Sequence, residues 1–85
     1  MKFTVADIKK QNDGAIKMWE REVDNDNKLA IFKLQLCIIL KATLMQLEDN
    51  HVLTNEELSL IDNMMNSNTL EDGFKVSYLL TKEEW

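Results

Sequence analysis

The sequence predicts a mostly α-helical protein: a small helical bundle around one long, buried central helix at about residues 28–48, with a C-terminal segment that reads as helix or short strand. Three observations carry this. The chain has no proline and only two glycines. The apolar run from Leu29 to Leu47 is too long for a strand. Two boxes of the form Thr-x-x-acid, Thr4/Asp7 and Thr54/Glu57, each precede apolar residues at helical spacing.

The first helix is expected from Thr4 to about Val23. Val5, Ile8, Ala15, Trp19 and Val23 fall near one face, and Asn12 interrupts the stripe. Asn12-Asp13-Gly14 is a weak point, because glycine costs about 1 kcal/mol in a helix interior. The spacing leaves open whether one helix runs through Gly14 or two short ones meet there. Asp24-Asn25-Asp26-Asn27 then reads as a stop and restart, since these short polar side chains compete for backbone hydrogen bonds and cap helices. A calcium loop would need Gly and Glu where Leu29 and Gln35 stand.

From Lys28 to Glu48 the apolar residues cover nearly the whole helical circumference, the pattern of a buried helix. A membrane span is excluded by Lys33 and Lys41, which would together cost about 5–7 kcal/mol near a bilayer centre. Such a helix would be roughly 30 Å long. The remaining segments are too short to wrap it completely, so some apolar surface should be left for a partner or a second copy.

Thr54 as N-cap, Glu57 closing the box and Leu53 packing on Leu58 define the next helix, which points Leu58, Ile61 and Met64/Met65 inward and stops at Asn66-Ser67-Asn68. The tail is ambiguous. Thr69 and Asp72 repeat the box spacing, whereas Phe74, Val76, Tyr78 and Leu80 alternate with period two. A strand there would need an edge, and within this chain only Phe3 to Val5 offers one.

At 85 residues the chain is read as one small domain, 1–85. A chain of this size buries roughly 60–65% of its unfolded surface, and the one cysteine allows no internal disulfide. Self-association or a partner is then the remaining source of extra stability. The single cysteine and the lack of an apolar stretch after Lys2 suggest a reducing, cytoplasmic setting. Nine Lys against one Arg, with eight Asn, suggest an AT-rich genome such as those of low-GC bacteria and their phages.

Chemistry is sparse. The net charge of −5 argues against nucleic acid as partner. Residues 1–47 hold eight basic and six acidic side chains, whereas residues 48–85 hold two and nine. The acidic residues come as pairs at helix starts, where they favour the helix dipole, and lack the phosphate-like repeat of a nucleic-acid mimic. His51 sits in a polar turn with no nucleophile beside it, and Cys37 lies in the most apolar stretch. No catalytic residue, cofactor site or metal site is expected, and no enzyme. Met18, Trp19, Met64, Met65, Tyr78 and Trp85 exceed what so small a core should absorb and are of the types enriched at interfaces. The sequence therefore points to a protein-binding module that occupies another protein's surface, of the antiholin, anti-defence or host-takeover kind. The alternative is a self-associating structural or immunity-type bundle, a homodimer.

Overall fold

Four helices alternate in direction along the chain in the computed structural model, which describes residues 2–81: α1 (Val5–Asp24), α2 (Lys28–Leu44), α3 (Asn55–Met65) and α4 (Leu70–Thr81). Among the described residues there are no strands beyond one isolated antiparallel bridge, Thr4 with Val52. The helical bundle expected from the sequence is thus present. Its principal extents are 40 × 24 × 20 Å.

Local chemistry sets each boundary. At α1 the Asp7 carboxylate accepts from the Thr4 backbone N–H at 2.9 Å, and Thr4 Oγ1 accepts from the Asp7 N–H. The helix runs without a break through Gly14, which settles the continuity question. It ends at Asn25, and Asp26 takes the left-handed conformation (φ 62°) that reverses the chain. Asn27 then caps α2, its Oδ1 accepting from the N–H groups of Leu29 and Ala30. The Asp24–Asn27 run is therefore a cap and turn, as its composition implies.

Two expectations for α2 need correction. The helix ends at Leu44, not near Glu48, because Gln46 and Leu47 donate to carbonyls only three residues back and tighten the chain into a turn. It is also buried on one side only. Ala30, Leu36, Cys37, Leu40, Thr43 and Leu44 face inward, while Leu29, Ile31 and Ile38 are about half exposed. At 17 residues it is about 25 Å long, and the three other helices cover only its inner half.

After this turn the chain is held to the N-terminus. The N–H groups of Val5 and Ala6 donate to the carbonyls of His51 and Asp49, and the Leu53 N–H donates to Phe3 O at 2.8 Å. The Phe3–Val5 edge is occupied, but by this loop and not by the tail. The tail itself is helical. Gly73, Ser77 and Leu80 lie toward the body, while Phe74 and Tyr78, four residues apart, share an outer face. The apparent alternation arises because inner and outer helical positions are both apolar here.

The core lies at one end of the molecule, where Val5, Ile8, Leu40, Leu44, Leu53, Ile61, Met64 and Leu80 form one cluster. Buried residues on α1 stop at Asn12, and Ala30 is the only fully buried residue before Leu36 on α2. The far half of the α1–α2 hairpin thus projects beyond the core as a two-helix arm. No helix among the described residues is long and apolar enough to cross a membrane.

Candidate protein-binding face on α2 and α4

The outer side of α2 carries a seam of seven-residue spacing. Ile31, Ile38 and Met45 are 48%, 52% and 68% exposed, and Gln35 and Ala42 between them are exposed as well. Apolar residues at this spacing form the contact line of paired helices. Among the described residues nothing covers the line.

Helix α4 widens it. Gly73 lets α4 approach α2 closely: a Cβ there would lie 2.8 Å from Leu36 Cδ2 and 3.9 Å from Ile39 Cδ1. One turn further on, Thr43 Oγ1 and Ser77 Oγ are 2.6 Å apart. Because Thr43 already donates to Ile39 O at 2.7 Å, Ser77 is the donor to Thr43. These two contacts fix α4 parallel to α2. They set Phe74 level with Ile38, and the two line a shallow groove with Gln35, Ile39 and Leu70. Tyr78 follows Phe74 by one turn; these two side chains are 60% and 67% exposed. Lys28 and Glu48 stand exposed at the two ends of the seam, and Glu71 and Lys75 pair at 3.7 Å next to Phe74.

The six residues singled out from the sequence separate. Tyr78 belongs to this face. Met18 is half exposed but lies on the projecting part of α1, where Trp19 is half-buried. Met64 is fully buried in the core, so its assignment to an interface is corrected: α3 turns it toward Leu44 and Leu80. Met65 is half-buried, lines a second groove with Ile8, Asn12, Ala15, Leu40 and Ile61, and its carbonyl accepts from Lys33 Nζ at 3.0 Å. Trp85 lies outside the described residues. Sequence reasoning did not single out Ile31, Ile38 and Met45 because it read the central helix as apolar all round, nor Phe74 because the tail also read with period two. The spacing of seven from Ile31 through Ile38 to Met45 was the available signal.

His51 and Glu57 are engaged with each other, and Cys37 is buried. His51 is not a free turn residue: its Nε2 lies 3.1 and 3.0 Å from the two carboxylate oxygens of Glu57, which is 6% exposed. Burial raises the Glu57 pKa, but the hydrogen bond from the Thr54 backbone N–H, the His51 imidazole and the Thr54 hydroxyl together hold it below its usual value. Burial pushes the Cys37 thiol up, with Lys33 opposing only in part. Among the described residues, no three His, Cys, Asp or Glu side chains converge to hold a metal ion. The chain matches no protein-family model, no curated protein and no solved structure.

Proposed function

We propose that this is a small cytoplasmic protein-binding module that acts by occupying the surface of a partner protein, without catalysis. The observation that carries it is the unpartnered apolar face of Ile31, Ile38, Met45, Phe74 and Tyr78, on helices whose inner sides already serve the core. Contiguous exposed apolar surface of this kind marks interaction sites. An uncharged groove between two parallel helices fits an amphipathic helix of the partner, whose apolar side would lie between Ile38 and Phe74. The composition, rich in Lys and Asn and poor in Arg, favours a regulator or inhibitor of the mobile-element type.

The test is affinity capture from host extract with the native mass of the eluate. Wild type is expected to retain one stoichiometric partner, Ile38→Glu and Phe74→Glu to lose it with unchanged helicity, and Met18→Glu to keep it. A partner that both face variants retain would refute the assignment.

A further inference from the structure

We draw no further inference here: the strongest candidate, the apolar groove between α1 and α3 lined by Ile8, Ala15, Leu40, Ile61 and Met65, carries none, because nothing in the structure shows what covers it.

Discussion

Asn12 reaches across from α1 and donates its side-chain amide to the Cys37 carbonyl of α2, at 2.9 Å, in a site where Asn12 is 5% exposed. The residue that seemed to interrupt the apolar stripe of α1 is therefore the one that fixes the register of the two longest helices. A helical carbonyl has a second lone pair after its own helix bond, and Asn12 uses it.

Asn12→Ala should lose this bond and leave a small void, costing about 1–2 kcal/mol. Asn12→Asp should cost more at neutral pH, because it sets a carboxylate against a carbonyl with no donor between them. Urea unfolding of the three proteins, compared at constant slope, checks the order. Equal stability of wild type and Asn12→Asp would refute it.

The two glycines should respond to alanine with opposite signs. Gly14 is in the interior of α1 with nothing within 4 Å of a built Cβ, so Gly14→Ala should stabilise by about 1 kcal/mol through helix propensity. Gly73 would place its Cβ 2.8 Å from a methyl of Leu36, which is itself fully buried. Overpacking costs typically 1–3 kcal/mol and outweighs the same propensity gain. Gly73→Ala should be net destabilising, and Gly73→Val more so. A higher melting temperature for Gly73→Ala would show that Leu36 moves aside freely.

Glu57 should shape the acid limb of stability. Its carboxyl is held below its ordinary value of 4.5 by Thr54 and His51 against the opposing effect of burial. A carboxylate whose folded pKa is depressed stabilises the fold above the unfolded value, and that contribution is lost as pH falls through the folded value. Stability should therefore decline as pH drops below about 4.5, and Glu57→Gln should flatten this decline while lowering stability at pH 7. Asp7, held low by Thr4 in the other box, acts in the same direction. Urea midpoints between pH 3 and pH 7 test it; an unchanged acid limb in Glu57→Gln would assign the decline to other groups.

The helix starts and the turn at Asp24–Asn27 were legible because caps are local chemistry: Thr4 with Asp7, Thr54 with Glu57 and Asn27 each act within three residues of themselves. What was not legible depended on how much surface the rest of the chain could cover. Apolar residues around the whole of α2 suggest burial, yet three neighbours on one side leave Ile31, Ile38 and Met45 outside. The tail is ambiguous for the same reason, since Phe74 and Tyr78 are as apolar as the inward Leu80. The binding face was anticipated only as a surplus without an address, and most of the residue types picked for it lie elsewhere.

The projecting half of the α1–α2 hairpin should open before the rest of the molecule. From Ala15 to Asp24 no residue of α1 is fully buried, and of the first eight residues of α2 only Ala30 is. Core-end amides have more support: Leu53 N–H is bonded to Phe3 O, Val5 N–H to His51 O, and the cluster around Leu44 and Met64 lies beneath them. Segments with few buried apolar contacts open at a small fraction of the global unfolding free energy. Native-state hydrogen exchange should show the amides of Lys17–Val23 and Ile31–Phe32 exchanging at least about tenfold faster than those of Leu40–Leu44 and Ile61–Met64. Stabilising the arm from outside should slow it selectively. Uniform protection across all four helices would show that the arm and the core unfold as one unit.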